Sequence, residues 1–267
     1  MAYSPLQLAP KYIWYLLTAS NGMGHGIHSP FVFDLVTNVL QDKRGRPEYL
    51  AVEAVRRRMA ADRGATITFE DLGAGAGGAT PQSRSLSSIA RTALKPSKFG
   101  QLFFRIASHY KPTTILELGT SLGITTAYLA SGNPGASVVT LEGAPGIAAI
   151  AQRNFSSLGL ERIRLVEGNF DDTLEGVLSR LSSVDLAYID GNHRLEPTLR
   201  YYRQMQPRLH SDSILVFDDI HWSPEMEEAW EALKADPAVT CSVDLFYIGI
   251  LFFRESFFTP QHFAIRF

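Results

Sequence analysis

The chain has 267 residues, 45% of them hydrophobic, enough for a full core in one domain with an appended segment. Its 25 Lys and Arg stand against 27 Asp and Glu, so no charge surplus points to a nucleic acid or an anionic membrane as partner. A single cysteine, Cys241, excludes an internal disulfide and any Cys-x-x-Cys zinc or redox pair, which suits a reducing cytoplasm. The apolar runs at 12–19 and 245–253 fall far short of the roughly 20 residues that span a bilayer, and residues 1–10 lack the basic start and cleavage site of a secretory signal.

Residues 1 to about 63 read as helical, with a segment over Leu8–Thr18, a turn NGMGHGIHSP, and helices near Phe31–Leu40 and Glu48–Arg63. No strand is expected among them. This predicts an N-terminal helical cap and flexible lid over 1–97, followed by a ligand-binding domain over 98–267. His25 and His28 in the turn read either as local caps bonding backbone or as part of a lid that touches substrate. Thr66–Asp71 is strand-like and runs into Asp71-Leu-Gly73-Ala-Gly75-Ala-Gly77, by letter the best match to an acid-x-G-x-G-x-G cofactor loop. Context opposes that reading. A ribose-binding acid should close a second strand roughly 20 residues later, whereas Ser85–Leu94 is helical in pattern and KPSKFG follows. Gly73–Gly78 is therefore expected to be a flexible loop.

From Gly100 the pattern alternates. Gln101–Tyr110 is helical, then come strand 114–118, helix 124–131, strand 137–142, helix 145–157 and strand 162–166. Helix 173–181, strand 184–189, helix 195–206 and strand 213–217 follow, and a helix at about 224–234 with an apolar pair near 239–253 ends the series. Strands separated by helices of this length pair in parallel through right-handed crossovers, an α/β fold. Its ligands sit at the carboxyl ends of the strands, at the switch point.

The stretch TTILELGTSLG, Thr113 to Gly123, holds the first strand, from Thr114 on, and its loop. Ile115, Leu116 and Leu118 give the apolar run of a strand buried on both faces, and Gly119 to Gly123 form a turn opening onto the helical ITTAYLAS. Glycines there let backbone approach a ligand, and the helix N-terminus adds donors. The loop reads E-x-G-x-S-x-G, not the G-x-G-x-x-G of NAD oxidoreductases. Acids then fall at successive strand ends: Glu117, Glu142, Asp171 within Gly168-Asn169-Phe170-Asp171, Asp190, and the pair Asp218 and Asp219. Glu142 is placed to accept hydrogen bonds from ribose hydroxyls. Phe170 and Asp171 would flank an adenine, the alternative for Asp171 or Asp172 being a helix N-cap.

From Lys98 to about Phe253 the chain resembles the class I S-adenosylmethionine (SAM) methyltransferases of the catechol and caffeoyl-CoA O-methyltransferase type, and also the metal-dependent sugar O-methyltransferases. KFGQLFFRI looks like the family's Gly-Gln helix start and LELGTSLGITTAYLA like its glycine loop. VDLAYIDGNHR looks like the fourth strand with its metal-ligand acid, and ILVFDDIHWS like the fifth strand with its acid pair. The resemblance implies a Rossmann-like seven-stranded sheet with helices on both faces. It implies SAM held by Glu117, Gly119, Ser121, Gly123, Glu142, Gly168, Asn169, Phe170, Asp171 and Asp190. By the same resemblance Asp190, Asp218 and Asp219 bind a divalent cation that holds the substrate hydroxyl beside the sulfonium methyl. Three carboxylates suit a hard ion such as Mg²⁺, which lowers the pKa of a bound hydroxyl.

Two positions depart from the catechol pattern. Three residues past the metal acid those enzymes carry a lysine base, whereas Asp190-Gly-Asn-His193 places a histidine, as the sugar-modifying enzymes do. With an ordinary pKa of about 6.5, histidine is a sensible general base; its alternative is a structural bond to a neighbouring carboxylate. Asp219 replaces an asparagine, and His221 reads as an orienting residue, a fourth ligand, or a polar residue entering a helix. Tyr12, Trp14, Tyr15, Phe31, Phe33 and the C-terminal FYIGILFFRESFF either line a substrate pocket or belong to the core. Leu245–Phe253 is a buried strand of the last hairpin or else the surface of a homodimer.

The expectation is SAM-dependent methylation of a small molecule at a hydroxyl, with Asp190 and His193 catalytic. The rivals are a metal-independent N- or C-methyltransferase and a catalytically silent SAM-binding protein.

Overall fold

The computed structural model describes residues 2–20, 22–24, 26–70 and 81–267; His25 and the Gly73–Gly78 loop lie outside the described residues. The chain's contacts divide into two compact units, Lys43–Val177 on the one hand and Met1–Asp42 with Leu178–Phe267 on the other.

The N-terminal helices are α1 (Pro5–Thr18), α2 (Pro30–Asp34), which runs on as a π-helical turn Leu35–Leu40, and α3 (Pro47–Ala61). Each begins at a proline, whose fixed φ and missing N–H suit the first helical position. Ser4 with Gln7 forms a capping box ahead of α1, and the Ser29 hydroxyl accepts from Val32 N–H ahead of α2. The helices thus start one to three residues earlier than hydrophobic periodicity alone predicts.

In the unit Lys43–Val177, β1 (Thr66–Glu70) and β2 (Pro81–Ser85) form an antiparallel pair, followed by α4 (Leu86–Thr92) and α5 (Ser97–Tyr110). β3 (Thr114–Leu118), α6 (Ile124–Gly132), β4 (Ser137–Glu142), α7 (Pro145–Ser157), β5 (Ile163–Glu167) and α8 (Phe170–Leu178) complete it. β3, β4 and β5 pair in parallel in that order, Leu116 opposite Val139 and Val139 opposite Arg164. Helical connections between neighbouring strands leave no other pairing sense. α5 and α6 approach closely because Gly100 and Gly132 carry no Cβ, which at Gly100 would stand 2.4 Å from the Tyr128 ring. The Tyr128 hydroxyl in turn donates to Glu53 of α3 at 2.8 Å, so the helix layer is tied by a part-buried polar bond as well as by packing.

In the other unit β6 (Leu186–Ile189), α9 (Leu195–Met205), β7 (Ile214–Asp218), α10 (Pro224–Lys234), β8 (Cys241–Asp244), β9 (Ile248–Phe252) and β10 (Gln261–Ala264) follow in chain order. β6 and β7 are parallel, β9 is antiparallel to β7 and to β8, and β10 is parallel to β8. The apolar run around β9 is spent inside the sheet, with Ile248, Ile250 and Leu251 fully buried. The N-terminal segment belongs to this unit. Tyr12 and Tyr15 pack on Phe246, the Tyr15 hydroxyl donates to the Ile265 carbonyl, and Ser20 exchanges backbone bonds with Ala264 and Arg266. Ser20 and Ile265 thereby form a β-bridge in a region expected to be wholly helical.

Beside the β1–β2 pair the described residues form eight strands, three in one unit and five in the other, where seven were expected. The additional strand is β10. Its four residues, QHFA, alternate between partial burial and exposure, too short and too polar for periodicity to reveal. Among the described residues no helix is long and apolar enough to cross a membrane.

Candidate active site

The glycine loop after β3 is shaped by alternating left-handed residues: φ is 104° at Gly119, 47° at Ser121 and 78° at Gly123. Glycine takes this conformation without strain, and at Gly123 it is required twice over, because an added Cβ would lie 2.5 Å from the Phe155 ring. Backbone bonds hold the turn to the end of β4, with the N–H groups of Gly119 and Thr120 both donating to the Leu141 carbonyl.

The two acids nearest the loop have different roles. Glu117 is completely buried, and its Oε2 accepts from the hydroxyls of Thr126 and Thr140, the latter at 2.6 Å. Thr140 in turn lies 2.6 Å from the Thr120 hydroxyl. Glu117 therefore braces β3, β4 and α6 from beneath the loop. Glu142 is partly exposed at the end of β4, where its Oε2 accepts from Ser121 N–H at 2.8 Å and its Oε1 from Ala144 N–H at 3.0 Å. Each carboxylate oxygen can accept more than one bond. The Glu142 carbonyl accepts from Gly168 N–H at 2.9 Å, which joins the end of β5 to the same assembly.

Gly168 (φ 131°) leads into Asn169, whose side chain accepts from Asp171 N–H at 3.1 Å. Asn169 is thus the cap of α8, which starts at Phe170 rather than near 173. Asp171 and Asp172 sit exposed in its first turn, where the helix dipole favours negative charge. Phe170 is partly buried.

In the other unit, Asp190 follows β6. Its Oδ2 accepts from the Tyr188 hydroxyl at 3.1 Å and its Oδ1 lies 3.4 Å from Nε2 of His193. Asn192 has φ 51°, and this left-handed residue curls the chain so that His193 returns to the acid three residues before it. The Trp222 ring stands 5.6 Å from the imidazole, centroid to centroid. Asp218 is buried at the end of β7, and Asp219, with φ 53°, donates its N–H to the Tyr247 carbonyl at 2.7 Å. Among the described residues no three His, Cys, Asp or Glu side chains are grouped so as to hold a metal ion.

His221 is committed elsewhere. Its Nε2 is 2.7 Å from Asp244 and its Nδ1 3.3 Å from Glu227, which also takes Lys11 Nζ at 3.0 Å and the Tyr3 hydroxyl at 2.7 Å. Burial pulls the His221 pKa down, but Asp244 and Glu227 more than reverse this, and it ends above its ordinary value. With both ring nitrogens occupied, His221 pins α1 to α10 and β8.

Sequence reasoning missed Thr120, Thr126, Thr140 and Tyr188. The one legible hint was Thr140, a hydroxyl inside the apolar strand SVVTLE.

Residues 116–220 match a family model described as a methyltransferase domain. The chain is 33% identical over 95 residues to catechol O-methyltransferase B of Danio rerio, a stretch covering 34% of this chain and 36% of that protein, so it spans about a third of that relative's length. The SAH-bound Podospora anserina methyltransferase PaMTH1 has the same fold, with TM-score 0.59 at 14% identity over 96% of this chain and 98% of that one. The O-methyltransferase from Bacillus cereus in complex with SAH gives 0.55 at 19% identity, covering 79% and 93%. The glycine loop and the strand-end acids thus lie in the stretch that matches a methyltransferase domain, and the fold across most of the chain is that of solved methyltransferases.

Proposed function

We propose that the protein transfers the methyl group of SAM to a hydroxyl of a small molecule. The observation that carries this reading is the braced glycine loop, in which Glu142 closes β4, bonds Ser121 N–H and keeps lone pairs for the ribose hydroxyls. Phe170 and Asp171 flank the adenine in this reading, and Gly119, Ser121, Gly123, Gly168 and Asn169 shape the backbone around the cofactor, with Glu117 acting from below. Residues 1–97 serve acceptor recognition and residues 98–267 bind SAM. The C–S bond of the sulfonium breaks as the C–O bond forms, and the hydroxyl proton leaves to His193. With Nε2–H turned to Asp190, the neutral imidazole presents Nδ1 as the accepting atom. Asp190 fixes that tautomer and stabilises the imidazolium that results.

No step is routed through a divalent ion. Proton acceptance is assigned to His193, and whether Asp190, Asp218 and Asp219 hold an ion is left to the assay. The relative's name supplies the first acceptor to try, catechol. Calorimetric titration with SAM should show saturable binding, and SAH should form with catechol or another hydroxylated small molecule. Activity that survives EDTA supports His193 acting alone; activity abolished by EDTA and restored by Mg²⁺ would return Asp190, Asp218 and Asp219 to the metal role. Tight SAM binding without transfer to any hydroxyl, amine or carbon acceptor would make the protein a silent SAM-binding protein instead.

A further inference from the structure

The unit Lys43–Val177 contains a cleft of about 520 Å³ between α3, β1 and α7, on the side of α7 that faces β1. That volume lies within the range of small-molecule sites, roughly 300 to 1,000 Å³. Its apolar floor is Met59, Ile67, Leu86 and Ile150, all buried. Its rim carries two guanidinium groups, Arg58 and Arg153, with one carboxylate, Asp62. Asp62 is already engaged, since its Oδ1 accepts from the N–H groups of Gly64 and Ala65 at 3.1 and 3.0 Å. Neither arginine has a carboxylate partner among the described residues; Arg58 reaches only the Asn154 amide oxygen, at 3.5 Å. Two guanidinium groups against one carboxylate leave a net positive rim over an apolar floor, which matches an oxyanion on an apolar body, because the planar fork pairs with carboxylate and phosphate alike.

Asn154 gives this cleft a connection to the glycine loop. It is buried, with its oxygen toward Arg58 and its Nδ2 donating to the Leu122 carbonyl at 2.9 Å. One side chain thus contacts both the rim and the residue next to Gly123. We infer that the cleft is a second ligand site, for a small amphipathic carboxylate or phosphate ester, and that its occupancy is felt in the glycine loop through Asn154.

Calorimetry with benzoate and with phenyl phosphate tests the site on the full chain without any use of SAM, so its outcome is separate from that of the methyltransferase reading. Saturable binding of either probe is expected, weakened roughly tenfold or more in the Arg58→Ala/Arg153→Ala double variant, and the probe that binds identifies the oxyanion. Both arginines are exposed, so the variant should fold; an unchanged melting temperature checks this. No saturable binding of either probe, or binding that the double variant leaves unchanged, would overturn the site. Hydrogen exchange over residues 119–124 should slow when the bound probe is present. Unchanged exchange there at saturating probe would overturn the connection through Asn154.

Discussion

The two compact units hold their acids in opposite ways. In Lys43–Val177 the acids beside the glycine loop are turned on the chain itself: Glu117 on the hydroxyls of Thr126 and Thr140, Glu142 on the amides of Ser121 and Ala144. In the other unit Asp190 stands partly exposed beside a histidine, and Glu227 gathers Tyr3, Lys11 and His221 from elements far apart in sequence. The charge balance differs as well. The first unit has 16 Lys and Arg against 12 Asp and Glu, net +4, and the second 9 against 15, net −6, which together give the chain's −2. A nearly neutral chain therefore combines a basic unit suited to an anionic ligand and an acidic one suited to accepting protons. In the proposed function the first places its ligand by backbone geometry and the second acts by side-chain chemistry, so substitutions in the two should fail differently.

The largest effect is expected in the acidic unit. His193→Ala should lower kcat by about 10²- to 10⁴-fold, the usual range for a general base, while SAM affinity measured by calorimetry stays close to wild type. Equal loss of SAM affinity would show that the acceptor side has been misassigned. Gly123→Ala should act in the opposite unit and in the opposite sense, on binding and stability together. The left-handed φ and the clash with Phe155 together cost roughly 2–4 kcal/mol, readable as a fall in melting temperature and in SAM affinity. Glu142→Ala is milder: removing one partly exposed carboxylate should weaken SAM roughly 10- to 100-fold with little change in turnover at saturation.

The smallest effect concerns the Glu227 hub. Burial raises the pKa of this carboxyl, but bonds from Tyr3, Lys11 and His221 outweigh it and hold the group below its ordinary 4.5. A depressed carboxyl stabilises the fold above the unfolded value and loses that contribution as pH falls through the folded one. Melting temperature should therefore drop as pH is lowered below about 4.5, and Glu227→Gln should flatten that slope while lowering stability slightly near neutrality. An unchanged acid slope in the variant would mean that α1 is held by its apolar contacts alone.

Much of the chain from residue 97 onward was readable because strand and helix periods are local. The limits of β3, β4, α7 and α10 coincide with the residues where the apolar pattern changes period or meets a proline. The choice between the two glycine stretches rests on Glu142, which follows Gly119 at the interval a ribose-binding acid requires. Long-range pairing was not. β2 reads PQSRS and shows no strand pattern of its own; its register with β1 makes it a strand. The same holds for β10 beside β8, and for Ser20 beside Ile265.

The sequence by itself determined the alternation of strands and helices, the position of the glycine turn and the spacing of the acids, because each depends on neighbours a few residues apart. Only the tertiary structure decided what each acid does. Glu117 and Glu142 are identical side chains 25 residues apart, and burial among threonines makes one a brace while partial exposure leaves the other able to meet a ligand. His193 and His221 divide in the same way, one beside Asp190 and the other held on both nitrogens. A side chain's chemistry follows from which groups surround it, and that is settled by contacts between residues distant in the chain.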